Sequence, residues 1–129
     1  MSDPRIFKTK WFARYAWREK IADASLREAV SRARRGLVDV DLGGNVIKQR
    51  VARKGQGRSG GYRMLIAFRA ACRAVFMLGF AKNDRDNITA DELESLKKMA
   101  ALWLTADAAK IEQAIAEGVL VEVKHENEK

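Results

Sequence analysis

Cysteine, histidine and proline each occur once in these 129 residues. A lone Cys72 closes no internal disulfide, which fits a reducing compartment, and one His with one Cys supplies no zinc-ligand cluster. Cys72 sits at a predicted tight turn with no His beside it, and it reads as structural. No apolar run is longer than Ala74 to Ala81. That is far short of the roughly twenty residues a bilayer demands, and the N-terminus MSDPRIFKTK is no secretory signal. These shortages point to a soluble, cytoplasmic protein with no metal, no other cofactor and no membrane partner. Acid is missing too: between Asp41 and Asp84 there is no Asp or Glu.

What fills the acid-free stretch is cationic. The segment KQRVARKGQGRSGGYR carries Lys48, Arg50, Arg53, Lys54, Arg58 and Arg63, interleaved with Gly55, Gly57, Gly60 and Gly61. Cations this dense repel one another unless solvent or a polyanion screens them. A nucleic acid is the natural ligand, and the alternative is a solvated charged face with none. The glycines allow backbone amides to approach an anion. GQGRSGG nevertheless lacks the Lys-Ser/Thr ending of a P-loop and opens no evident helix, so neither a nucleotide triphosphatase nor a dinucleotide fingerprint is indicated.

The polarity extends along the whole chain. Up to Lys82 there are nineteen Lys and Arg against six Asp and Glu, a balance of +13; from Asn83 onward there are six against eleven, or −5. The anion-binding surface is therefore expected in the first two thirds. A hydrophobic fraction of 47% with three tryptophans is enough for one core, and residues 1–129 read as a single domain.

The periodicities predict mixed elements. Arg5 to Thr9 alternates, and Lys10 to Lys20 places Trp11, Phe12, Tyr15 and Ala16 on one helical face. A second helix repeats Leu26, Ala29, Val30 and Ala33, with Asp23 or Ser25 as its cap, Ser25 and Glu28 at capping-box spacing and Gly36 at its end; Arg27, Arg32, Arg34 and Arg35 are expected on its outer side. Gly43, Gly44 and Asn45 predict a turn into a strand from Val46 to Arg53, in which Lys48 and Arg50 share a face. Lys54 to Gly61 reads as a basic loop. From Tyr62 to Ala70, Tyr62, Met64, Ile66 and Phe68 point to the core, while Arg63, Leu65, Ala67 and Arg69 point away. After a turn at Ala71 and Cys72, Arg73 to Lys82 reads as an interior strand, which gives three adjacent antiparallel strands. Thr89 and Glu92 form a predicted capping box for a helix with Leu93, Leu96, Ala100, Trp103 and Leu104 as its stripe. Thr105 is the candidate cap of a shorter helix ended by Gly118. These C-terminal helices span about 89–117, and after a short strand at Val119 to Val123 residues 124–129 form a polar tail.

The order GLVDVDLGGNVIKQRVARKGQGRSGGYRMLIAFR, followed by GFAKNDRDNITADELESLKKMA, resembles the HigB-type branch of the RelE/ParE superfamily, toxins of type II toxin–antitoxin systems. The resemblance covers roughly Ile6 to Val123 and rests on the basic glycine-rich loop, the SGGYR junction and the GFAKN strand end. It implies an α+β, microbial-ribonuclease-like fold, with a twisted antiparallel sheet, helices packed on one side and the other side open to RNA. It also implies metal-independent cleavage of messenger RNA in the ribosomal A site. A cognate helix-turn-helix antitoxin would be the partner, with operator DNA reached indirectly through it. On that pattern Lys54, Arg58, Arg63 and Lys82 match the basic active-site positions, and Lys48 and Arg50 belong to the RNA-facing surface.

The residues are compatible with that chemistry. Metal-free RNA cleavage needs a deprotonated 2′-hydroxyl, a stabilised pentavalent phosphate and a protonated 5′-oxygen. The only His, His125, lies in the tail, so Arg and Lys must serve: arginines neutralise the phosphate and a lysine exchanges the proton, with Lys82 and Lys54 as candidates. Tyr62 and Phe80 are placed to stack on bases, or equally to fill the core. Arg53 and Arg69 read as surface or ion-paired residues. Two other readings use the same residues: a same-fold inhibitor of DNA gyrase, and a non-catalytic RNA- or ribosome-binding protein. The basic loop and Lys82 favour RNA over gyrase.

Overall fold

The computed structural model describes residues 4–53 and 57–124, and for 57–60 the backbone alone. The fold is α+β. Strand β1 (Arg5–Thr9) leads into helices α1 (Lys10–Glu19) and α2 (Asp23–Arg34); β2 (Val40–Asp41), β3 (Val46–Arg53), β4 (Gly57–Arg69) and β5 (Arg73–Ala81) follow; α3 (Ala90–Thr105), α4 (Ala108–Ala116) and β6 (Leu120–Val123) complete the order. The six strands form one sheet, ordered β2-β3-β4-β5-β1-β6. The expected antiparallel β3-β4-β5 meander is present, but β1 runs parallel to β5, so the sheet is mixed. A parallel pair needs a crossover, and helix-rich connections supply it.

Alternation along the strands sorts the side chains into two apolar clusters. Ile6, Ile47, Met64, Ile66 and Phe76 pack with Phe12, Tyr15, Leu26 and Val30 of α1 and α2. Their neighbours Phe7, Val46, Leu65, Ala67 and Val75 pack with Leu96, Ala100 and Leu104 of α3 and Ile111 of α4. Adjacent strand residues face opposite ways. The layer of α1 and α2 is the one expected beside the sheet, and α3 with α4 covers part of the face expected to be open. The alternation of β4 carried this signal, because Leu65 and Ala67 are as apolar as Met64 and Ile66 and equally buried. One register shift adjusts the sheet to α1. Met77 is an extra residue on β5 between the Leu65–Leu78 and Ile66–Phe76 pairs. Gly79 then lies beneath α1, where an added Cβ would come within 3.0 Å of Phe12 and Tyr15.

Several helix ends differ from expectation. Thr9 caps α1 by accepting a bond from the Phe12 N–H at 3.2 Å, and left-handed Lys20 (φ 59°) closes it. The Ser25–Glu28 box does not form, because α2 begins at Asp23 and Glu28 is held by Arg32 at 2.9 Å. Asp23 instead receives Lys8 Nζ at 3.1 Å, which ties β1 to the positive end of α2. The Thr89–Glu92 capping box is present. Thr105, however, donates back to the Ala101 carbonyl within α3, and Asp107 caps α4. Arg73 donates to the carbonyls of Trp103 and Ala106, both at 2.8 Å, and satisfies the C-terminal end of α3.

A polar network pins the β3 edge. Gln49 is fully buried; its amide donates to the carbonyls of Ala29 and Leu37 and its oxygen accepts the Asp39 N–H at 2.7 Å. Arg32, expected on the outer side of α2, is buried instead, donating to Glu28, Asp39 and the Arg50 carbonyl. A guanidinium satisfies several backbone and carboxylate acceptors at once, which makes its burial tolerable.

Candidate nucleic-acid interface

The register of the sheet gathers the cations. Arg50 on β3 is directly opposite Arg63 on β4, which is opposite Phe80 on β5; the next row is Lys48, Leu65 and Leu78. Directly paired residues project to the same side. Lys48, Arg50 and Arg63 therefore share the face that carries α3, beyond the part it buries, and Phe80 shares that face as a member of the buried cluster. Lys82 follows β5, and its amide donates to the Gly61 carbonyl at 3.1 Å, which places this exposed residue beside the start of the SGGYR junction. Lys54 lies outside the described residues. So does the side chain of Arg58, although strand β4 already takes in Gly57 to Gly61, which were expected in the basic loop.

Each cation has a different electrostatic setting. Lys48 Nζ donates to Asn87 Oδ1 at 3.2 Å, and Arg50 reaches Asp39 at 3.2 Å while remaining half exposed. Burial alone would raise the Asp39 pKa. Hydrogen bonds from the Arg50 amide and guanidinium, with the charges of Arg50 and Arg32, outweigh it and hold the carboxyl below its usual range. Arg63 is half-buried and has partners of its own.

Tyr62 and Phe80 are both core residues. Tyr62 faces α1, is 4% exposed, and donates its hydroxyl to Glu19 at 3.2 Å; burial and the Glu19 bond push its pKa up. It thus lies on the opposite side of the sheet from Arg50 and Arg63. Phe80 is on the cationic side, but it is 5% exposed and the Arg85 guanidinium lies 5.0 Å from its ring centroid.

Arg85 and Asn87 were not foreseen from sequence. Arg85 forms a bidentate pair with Glu92 and donates to the Asn87 carbonyl at 3.0 Å. Hydrogen bonds from Arg85, then from the Thr89 N–H, hold the Glu92 carboxyl down at about 2. The connector DRDNIT thus folds over the end of β5 and places Asn87 against Lys48. Its signal was Arg85 standing seven residues before the capping-box Glu92, a spacing that lets one carboxylate serve both groups.

Among the described residues, no group of three His, Cys, Asp or Glu is placed to hold a metal ion. None of their helices is long and apolar enough to cross a membrane. An apolar groove of about 500 Å³ between α3 and β5, lined by Trp11, Met77, Leu78, Leu96 and Met99 among others, contains none of the candidate cations. The arrangement can neutralise a phosphodiester at several points without a carboxylate directly opposite it in the sheet.

Compared with protein-family models, the chain matches the RelE toxin of the RelE/RelB toxin–antitoxin system over residues 4–123. No curated protein and no solved structure matches it. The match spans nearly the whole sheet, from β1 to β6, together with the row of cations. The chain belongs to the RelE toxin family, whose members are generally translation-inhibiting endoribonucleases paired with a cognate antitoxin.

Proposed function

We propose that this chain is a HigB-type, ribosome-dependent endoribonuclease that acts in the cytoplasm, its 129 residues forming one toxin domain that cuts messenger RNA in the A site without a metal. The observation that carries the reading is the row Lys48, Arg50 and Arg63 on one sheet face with Lys82 at its end. In this mechanism the arginines stabilise the charge that develops as the 2′-oxygen attacks the adjacent phosphorus. Lys82 or Lys54 transfers the proton that lets the 5′-oxygen leave. With no directly opposed acid–base pair, most of the rate must come from positioning, which the ribosome supplies by holding the 2′-hydroxyl in line. A cognate helix-turn-helix antitoxin with Asp and Glu in its contact segment would cover the cationic face and bring the toxin to operator DNA.

The test is messenger cleavage in a reconstituted translation system. Wild-type protein should cut a translated messenger and leave naked RNA largely intact, and Arg63→Ala and Lys82→Ala should each fold yet cut at least tenfold more slowly. Full activity in both variants would overturn the site. Arrest of growth through gyrase, or ribosome binding with no cut messenger, would overturn the reaction.

A further inference from the structure

The outer face of α1 takes no part in either core cluster. Phe12, Tyr15 and Ala16 turn inward, which leaves Lys10, Arg14, Trp17 and Arg18 on the opposite stripe with Trp11 at its margin. Trp17 is 83% exposed. An isolated exposed apolar residue is ordinary, but a tryptophan is the most costly one to leave in water, and this one has Arg14 one turn before it and Arg18 beside it. Among the described residues none of Lys10, Arg14, Arg18 and Lys20 has an ion-pair partner, although the neighbouring elements hold Lys8, Arg32 and Arg50 in such pairs. Lys10, Arg14 and Arg18 follow one another at four-residue intervals, about 6 Å apart along the helix. That is the scale on which phosphates follow one another along a nucleic-acid strand.

The stripe lies across the sheet from Lys48, Arg50 and Arg63 but reaches the end of the sheet where Lys82 stands. The last turn of α1 is joined to the first half of β4 through Glu19 and the Tyr62 hydroxyl, and the Arg53 guanidinium lies 5.6 Å from the Tyr62 ring. Tyr62 is paired with Ala81, the residue before Lys82. Trp17, Arg18 and Lys20 therefore stand at the same end of the sheet as Lys82.

We propose that the outer face of α1 is a second RNA-binding surface: Lys10, Arg14 and Arg18 contact successive phosphates and Trp17 stacks on an unpaired base. Structured RNA with a looped-out nucleotide satisfies both halves of this surface, as Arg and aromatic side chains do in single-strand recognition. An anionic membrane fits less well, since the apolar side of α1 is already spent on the core and leaves only Trp17, with Trp11 at the margin, to insert. The proposal rests on the RNA-directed reading of the sheet face, but it anchors RNA rather than cutting it.

Binding can be measured apart from cleavage with a fluorescein-labelled RNA hairpin, 2′-O-methylated throughout so that it cannot be cut, titrated with full-length protein at several salt concentrations. Trp17→Ala should weaken binding roughly tenfold, with Trp17→Phe retaining most of it. The combined variant Arg14→Glu, Arg18→Glu should weaken it further and lower the slope of log K against log salt by about two. Circular dichroism melting should be unchanged, because all three side chains are exposed. Affinity and salt slope equal to wild type in both variants would overturn the proposal. So would unchanged hairpin binding combined with lost binding to the antitoxin or to phosphatidylglycerol vesicles, which would assign the face to that partner instead. Absence of messenger cleavage by wild-type protein would sink the proposed reaction while leaving these hairpin measurements to decide α1 alone.

Discussion

The two halves of β4 are built from one alternating strand and have opposite surroundings. From Met64 to Ala67 every side chain is buried, since α1 and α2 cover one face and α3 the other. At Arg63 the second face emerges from under α3 and meets Arg50 across the ladder. The boundary is one residue wide, between Arg63 and Leu65 on the same face. Folding energy and cationic charge are thus adjacent on the strand without sharing side chains, so substitutions on the two sides of the boundary should separate stability from activity.

The largest effect should come from the covered half. Leu65→Ala and Ile66→Ala each remove a fully buried side chain from a different cluster and should cost about 2–5 kcal/mol in urea unfolding. Arg63→Ala should stay within about 1 kcal/mol of wild type, as half-exposed polar groups usually do, while growth inhibition collapses. An Arg63→Ala protein that unfolds with the core variants would erase the boundary.

Gly61 tests the boundary from the backbone. A Cβ there would lie 2.2 Å from the Val51 carbonyl oxygen and 2.7 Å from the Arg53 nitrogen, where the β3–β4 register shifts. Backbone cannot step aside as a flexible side chain does. Gly61→Ala should cost about 1–3 kcal/mol and, by pushing the end of β3 away, also lower messenger cleavage. It is the one substitution expected to move both readouts, and cleavage at the wild-type rate would show that the β3 end does not position the cations.

How much of this was legible follows from the kind of signal involved. Periodicity located β3 from Val46 to Arg53, the Thr89–Glu92 box, the buried stripe of α2 and that of α1 except for Trp11, which is exposed, because these depend on residues close in sequence. The pairing of Lys48 and Arg50 on one face was legible for the same reason. What escaped depends on distant partners. Ser25 and Glu28 had the spacing of a box, but Arg32 competes for the carboxylate and is itself drawn inward by Asp39 and the Arg50 carbonyl. Gln49 sits at an inward position between Ile47 and Val51, which alone hinted at a buried amide. Tyr62 and Phe80 were equally compatible with stacking and packing, and only the positions of Glu19 and Arg85 resolved them. Lys54 and the Arg58 side chain fall outside the described residues, so their roles rest on family resemblance.

The Asp39 network adds a pH dependence at the open edge. Its carboxyl pKa is lower folded than unfolded, so its contribution to stability is complete above the unfolded value near pH 4 and is lost as pH falls through the folded value. Asp39→Asn should cost about 1–3 kcal/mol at neutral pH, because the charge that strengthens three bonds, from the Arg50 amide and the Arg50 and Arg32 guanidiniums, is removed, and should lessen the decline in stability below about pH 4. An acid limb as steep as wild type would place that linkage in other carboxylates.

The smallest effect sits where α1 crosses the sheet. Tyr15 is 8% exposed, and its hydroxyl has no hydrogen-bond partner among the described residues, although its ring stacks 5.3 Å from Trp11 and meets Tyr62 edge-on at 6.2 Å. Burial, helped by the charge of Glu19, pushes its pKa well above the usual tyrosine value, so the group stays neutral and its hydroxyl brings a desolvation cost without a bond to offset it. Tyr15→Phe keeps the ring contacts and removes that cost. It should leave stability unchanged or raise it by about 1 kcal/mol in urea unfolding. Messenger cleavage should be unaffected, since Tyr15 faces away from Arg63. A loss of cleavage with stability intact would mean that the hydroxyl meets a partner only when RNA is bound, and would carry the functional surface across the sheet to the α1 side.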